Sequence, residues 1–248
     1  MVVCIDVGAT LTKVLYDNGK KELFQSENFD VVDNIKGMDA EEIRITGGRS
    51  FLLPERIDGK IMKKFDEFEA ISKVIGKRYG GLAVTVGTGT SIIDTKNKRH
   101  RGGTGIGGGT IMGLCSLIYG VRSFGTYEEL AMKGNRKKAD FMVGEVVGRE
   151  MGMLDAETTA SNLAKIDGVE KEDIAASIFN MVGEVVGTVA SLAFKSCSLN
   201  RIVFLGSTLK SFIVKDTIKK VCGMYNCPHV FVKDPVFEIV EGLKENYL

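Results

Sequence analysis

Apolar residues along this chain fall into two rhythms. Short β-branched runs stop at glycine, and longer stretches repeat every three or four positions. The chain opens with a run of the first kind: "VVCIDVGATLTKVLYDNGKKELF" alternates around a turn at Gly8 and reaches a hairpin turn at Asn18-Gly19. Residues 41–48, "EEIRITGG", form a further strand ended by paired glycines. Between 66 and 78, Phe68, Ile71, Val74 and Ile75 take helical spacing, with Asp66 placed to cap the first turn. After Gly80-Gly81 the opening pattern recurs as "LAVTVGTGTSIID", a strand, a Gly/Thr turn and a strand, followed by a basic hairpin tip, "KNKRHR". A glycine loop then runs into an apolar helix in "GGTGIGGGTIMGLCSLIYG". Residues 126–165 and 171–195 read as helical, and "RIVFLGSTL" (201–209) as a strand ending at Gly206-Ser207. A helix, a strand over His229–Val232 and a final helix complete the chain. The recurrence predicts an α/β protein of two related lobes, residues 1–79 and 80–248, facing each other across a cleft.

From Ile174 to Phe194 the only charge is Glu184, so this stretch has the length and apolarity of a membrane span. Ser177, Asn180, Glu184, Thr188 and Ser191 nevertheless form a polar stripe, and Gly183 and Gly187 have the spacing of close-packed helices. These features predict a buried helix at a subunit interface. The 248 residues are 44% hydrophobic and 26% charged, as in soluble globular proteins, and 33 basic against 32 acidic residues leave a net charge of +1. That balance argues against a nucleic-acid partner. Thirty glycines beside three prolines point to tight turns and close backbone approach to a ligand. The five cysteines are irregularly spaced. Cys222, Cys227 and His229 lack the paired ligand loops of a zinc ribbon, and Met1 leads straight into a strand without a basic leader. Reduced thiols and a cytoplasmic protein are expected.

Three turns suited to phosphate follow one another. In "DVGATLTK" a strand delivers Asp6 to its carboxyl end, where a carboxylate can hold Mg²⁺ through water. Gly8 allows a tight fold, Thr10 and Thr12 offer hydroxyls, and Lys13 adds a positive charge. Alone, such a hairpin is a common structural turn. The second, "TVGTGTS" from Thr85 to Ser91, has the same grammar with neutral hydroxyls. The third, Gly102 to Thr110, holds six glycines in nine residues and opens a helix whose amides could receive an anion. Gly206-Ser207 offers bare backbone to a flat ring. No glycine run ends in Gly-Lys-Ser/Thr, and the dinucleotide fingerprint is also unmet. The two-phosphate-turn layout of actin-like ATPases and sugar kinases fits better.

Within that superfamily the chain resembles type II pantothenate kinases over nearly its full length. The resemblance is carried by "IDVGATLTK", "ITGG", "DEFEA", "VGTGTS", "GGTGIGGGTIMGLCSLIYG", "SFGTYEELAMKGNRKKAD", "AASIFNMVGEVVG" and "RIVFLGSTL". It implies two ribonuclease-H-like (actin-like ATPase) lobes around a nucleotide cleft, with ATP and Mg²⁺ as cofactors and pantothenate as acceptor. It further implies a homodimer built on a long helix. It places the catalytic base on Glu67, and Mg²⁺ and phosphate on Asp6, Gly8, Thr10 and Lys13. ATP contacts fall on Thr88, Gly108, Gly109, Thr110, Ile111, Met112, Phe124 and Ser207, and Ser91 faces the substrate.

Four departures stand out. The family's substrate arginine falls on His100, between Arg99 and Arg101; of the two candidates, His100 and Arg101, the second is favoured. Thr85 replaces an asparagine, and the segment from Gly148 to Asn162 is shorter than in relatives. Glu238 and Glu241 stand where glycines are expected, which weakens the expectation of inhibition by CoA thioesters. A kinase for another small hydroxyl compound and a non-catalytic nucleotide-binding regulator on the same fold remain as alternatives.

Overall fold

The computed structural model describes residues 1–120, 123–150, 152 and 154–245. Strands β1 (Val2–Val7), β2 (Leu11–Leu15) and β3 (Lys21–Gln25) form an antiparallel meander. Helix α1 (Val31–Gly37) then leads to β4 (Glu42–Thr46), which pairs parallel to β1. With β5 (Arg56–Ile57) and β6 (Lys60–Lys64) these strands make a six-stranded sheet in the order β3-β2-β1-β4-β6-β5.

Helix α2 (Glu67–Arg78) follows, and its sequence accounts for its ends. Asp66 accepts from the Glu69 amide at 2.9 Å, acidic residues occupy the first turn, and Lys77 and Arg78 close the last. Its apolar face, Ala70, Ile71, Val74 and Ile75, is fully enclosed. Burial of each larger side chain there stabilises the fold by about 1.5–3 kcal/mol.

The second half repeats the plan of the first. Strands β7 (Leu82–Val86), β8 (Thr90–Asp94) and β9 (Arg99–Thr104) form another antiparallel meander. Helices α3 (Gly108–Tyr119) and α4 (Phe124–Lys133) come next, then β10 (Phe141–Met142), α5 (Val143–Val147), β11 (Thr159–Ser161) and α6 (Lys171–Lys195). Strand β12 (Ile202–Leu205) lies parallel to β7, and α7 (Phe212–Met224) connects it to β13 (His229–Phe231), with α8 (Glu238–Lys244) last. The order β13-β12-β7-β8-β9 matches β3-β2-β1-β4-β6 read in reverse, so both sheets place a meander beside a parallel extension.

The alternation of strand side chains divides the core. Val3, Ile5 and Val7 point into the first lobe, whereas Cys4 points with Ala83, Ile93 and Val203 toward α2 and α8, which fill the space between the sheets. The Glu238 carboxylate is buried there against Arg78 at 2.6 Å, and Glu241 meets Lys21 of β3 at 2.5 Å. The two glutamates that replace the expected glycines therefore tie the last helix to α2 and to the first sheet.

Two expectations need correction. Residues 126–165 are not continuously helical: α4 stops at Lys133, and the chain then makes a short turn, the β10–β11 pair and α5. Buried Asp140 explains the break, because it accepts from the Leu163 amide at 2.8 Å and from Ser177 of α6, pinning the excursion to the core. The glycine face of α6 is also spent within the chain. A methyl group on Gly183 would lie 2.6 Å from Thr217, and one on Gly187 2.8 Å from Val221, both on α7. Although α6 is long and apolar enough to cross a membrane, it packs against α3, α4 and α7 in the second core.

Candidate active site

A cavity of about 1360 Å³ opens between the two sheets, where their strand ends converge. Strand β1 carries Asp6 to its floor. The pairing Asp6↔Lys13 brings the two side chains together, and Lys13 Nζ donates to Asp6 Oδ2 at 2.8 Å. The turn between them is closed by its own backbone, since the Gly8 amide donates to Leu11 O. Thr12 is buried and bonded to Ser26, so its hydroxyl faces away from the cavity, contrary to the sequence reading. Thr10 reaches outward instead, and its Oγ1 lies 2.8 Å from Thr88 Oγ1 across the cleft.

Gly47-Gly48, at the end of β4, lets two carboxylates share this floor. Gly47 has φ +95°, and a methyl group there would lie 2.8 Å from Asp6 Oδ1. One on Gly48 would lie 4.0 Å from Glu67 Oε2. Glu67 enters from the first turn of α2 and still meets the solvent of the open cleft. Crowding by the cleft walls raises its pKa above the usual carboxylate value, and the Asp6 charge adds to the effect. Lys13 and the Gly48 amide, which donates to the carboxylate, pull the other way. The paired glycines of "ITGG" were the sequence signal for this junction, although no role had been read for them.

The second turn, Thr85 to Ser91, forms the facing wall. Its carbonyls dock the glycine run: Gly108 N donates to Gly87 O at 2.8 Å and Gly109 N to Thr88 O at 2.9 Å. The first amides of α3 are thus consumed by protein and do not form the free anion cradle expected of them. The glycines are needed for approach, because a methyl group on Gly107 would sit 2.7 Å from Thr88 O. Ser91 Oγ is buried beside the cavity and has no hydrogen-bond partner among the described residues. Met112, Phe124, Ser207, Lys210 and Val236 line the far end, where Thr208 Oγ1 donates to Gly87 O at 2.8 Å.

Asp6, Gly8, Thr10, Lys13, Glu67, Thr88, Ser91, Gly108, Gly109, Met112, Phe124 and Ser207 therefore meet around one cavity. Besides Thr12, four candidates do not line it. Thr110 binds its own loop through Gly105 O and the Gly107 amide, and Ile111 is core. Arg101 sits in a register shift of β9 and holds Asp94 at 2.9 Å. Burial works to raise the Asp94 pKa, but hydrogen bonds from Asn97 and Arg101 outweigh it and hold the carboxyl at about 2. His100 projects to α2, where its ring stacks on Phe68 with centroids 4.8 Å apart. Thr46 of "ITGG" and Thr104 of the glycine loop also line the cavity although no role had been read for them, and Lys210 and Pro235 line it without a sequence signal.

The model of the Fumble family matches residues 48–227. A type II pantothenate kinase of Bacillus cereus (strain ATCC 14579) is 36% identical over 254 residues, covering 93% of this chain and 92% of its own length. The chain belongs to the type II pantothenate kinase family. The type II pantothenate kinase of Oceanobacillus iheyensis is 33% identical and covers 83% of each chain. Among solved structures, component A of Acidaminococcus fermentans (R)-2-hydroxyglutaryl-CoA dehydratase superposes with TM-score 0.62 at 18% identity, covering 98% of this chain and 95% of that one. ROK hexokinase from Thermus thermophilus superposes with TM-score 0.51 at 11% identity, over 98% of this chain and 96% of that one. These structures establish the actin-like ATPase fold of this pantothenate kinase family member and nothing finer.

Proposed function

We infer that this enzyme transfers the γ-phosphoryl group of ATP to the primary hydroxyl of pantothenate, giving 4′-phosphopantothenate, the first step toward coenzyme A. The observation that carries this reading is the meeting of Asp6 and Glu67, from separate segments, at one glycine pair facing a row of hydroxyls. Glu67 takes the proton of the acceptor hydroxyl as its oxygen bonds to the γ-phosphorus; the bond from that phosphorus to the β–γ bridging oxygen breaks, and ADP leaves. Lys13 and the Thr10 and Thr88 hydroxyls position phosphate oxygens, while Ser91 donates its unpaired hydroxyl to the acceptor. Met112, Phe124 and Ser207 bound the nucleotide's ring, with Gly8, Gly108 and Gly109 keeping the walls close.

No group of three or more His, Cys, Asp or Glu gathers among the described residues as a metal cage. The oxygen donors around Asp6 fit Mg²⁺ held by one carboxylate, water and phosphate, and Mg²⁺ bound there would neutralise charge on the triphosphate. The enzyme acts in the cytoplasm without nucleic acid or membrane partners. It works as a homodimer, a proposal that rests on the family resemblance alone now that the α6 glycines are occupied; light scattering that gives the monomer mass would refute it. The decisive assay is ATP consumption with and without pantothenate. Strict dependence on pantothenate is expected, with kcat falling about 10²–10⁴-fold in Glu67→Gln. Hydrolysis independent of acceptor and indifferent to that substitution would refute the kinase reading.

A further inference from the structure

Strand β9 departs from regular pairing beside the helix that carries Glu67. Ile92 pairs with Gly102 and Ile93 with His100, so Arg101 is an extra residue on β9, and Gly102 takes φ +144°. A bulge of this kind re-aims the side chains around it. Arg101 turns to Asp94, while His100 stands opposite Ile93 and shares its face of the sheet. That face is packed on α2, since Ile93 lies in one core with Ala70, Ile71, Val74 and Ile75. Without the bulge, Arg101 would stand opposite Ile93 and alternation would turn the imidazole away.

The imidazole is used where the bulge places it. Its ring stacks on Phe68, with centroids 4.8 Å apart and planes 21° from parallel. Phe68 follows Glu67 in the first turn of α2, and at 40% exposure it stands outside the enclosed face of that helix. Lys98 of the same hairpin also reaches this turn: the Glu69 carboxyl is held below its usual value first by Lys73 and, with a smaller share, by Lys98. Asp66 fixes the backbone here through the Glu69 amide. Residues 67 and 68 project about 100° apart around the helix axis. A grip on Phe68 from the second sheet therefore sets the rotation of the turn from which Glu67 faces Asp6 of the first.

We propose that His100 is a positioning residue for Glu67: its ring, placed by the β9 bulge, clamps Phe68 and holds the carboxylate toward Asp6 and the cleft. The proposal rests on Glu67 as the base of the transfer. The imidazole serves as a planar surface, not as an acid or base, and touches neither substrate.

Steady-state kinetics of the full chain test it. His100→Ala is expected to lower kcat about tenfold with KM for ATP and pantothenate unchanged within about twofold, because a displaced base loses rate and not affinity. His100→Phe keeps a stacking ring and should return kcat to within about twofold of wild type. Phe68→Ala should match His100→Ala, and the double variant should fall no further. The deciding arm uses Glu67→Gln, in whose residual activity His100→Ala should change nothing. Wild-type kcat in His100→Ala overturns the proposal, as does a further loss of about tenfold in the Glu67→Gln background. Failure of His100→Phe to restore the rate, or a rise confined to KM for pantothenate, also overturns it and returns the imidazole to the acceptor. Undiminished kcat in Glu67→Gln alone would remove the base itself and this proposal with it, a result distinct from the others.

Discussion

The strand–turn–strand units that face each other across the cleft share a topology and differ in charge. In the first, Asp6 pairs in register with Lys13; in the second, Thr85 pairs with Ser91. Both units are antiparallel, both turn on a glycine after valine, and both aim their turn at the same cavity. At the cavity, charge is confined to the first unit, beside Glu67, while the second presents hydroxyls and backbone. A triphosphate carries more negative charge than Lys13 alone can balance, so one carboxylate serves if a cation binds to it, and a second on the opposite turn would only repel. Duplication of the fold thus did not require duplication of the chemistry.

The largest effect on this contrast is expected from Asp6→Asn. It removes the only carboxylate that the two units present to the cavity and should lower kcat about 10²-fold or more in steady-state assays. Retention of half the activity would break the assignment of the first turn. The reverse change, Thr85→Asp, restores symmetry by adding a like charge, and should raise KM for ATP roughly tenfold. Effects of pH sharpen the link between the two carboxylates. Because burial in the cleft and Asp6 raise the Glu67 pKa, the proposed base is lost by protonation at a higher pH than an ordinary glutamate. Activity should therefore fall on the acid side, and in the residual activity of Asp6→Asn that limb should move to lower pH, as removing a negative neighbour eases ionisation. A pH–rate profile that does not move would separate the two groups.

Arg101→Ala should have the smallest effect on catalysis, changing KM for pantothenate by less than about threefold while costing on the order of 1–2 kcal/mol of stability in urea titrations. The sign follows from Asp94. Its pKa is lowered to about 2 in the folded protein, so the stabilisation is complete at pH above the unfolded value and fades as pH falls through about 2. Wild type and variant should converge there. A large rise in KM would instead return Arg101 to the acceptor site.

Much of this could be read from the chain. The alternation in "VVCIDVG" and "LAVTVG", the helical spacing after Asp66 and the recurrence after Gly81 all anticipated elements that are present. The helix placed over residues 126–165 failed because propensity is local, whereas Asp140 is captured by Leu163 and by Ser177 of α6. Glycine counts misled in a similar way. The runs at 107–109 and at 183 and 187 were read as a ligand cradle and a subunit face, but glycine reports only that something comes close.

Sequence alone determined the two strand–turn–strand units, the N-terminal cap and last basic turn of α2 and the presence of hydroxyl- and glycine-rich turns, because each depends on neighbours two to four positions away. Only the tertiary structure decided that Asp6 and Glu67 meet at Gly47-Gly48, that Gly87 and Thr88 absorb the first amides of α3, and that Arg101 belongs to Asp94. Those outcomes depend on which distant segment arrives at each group, and a donor or charge is committed once it finds its partner.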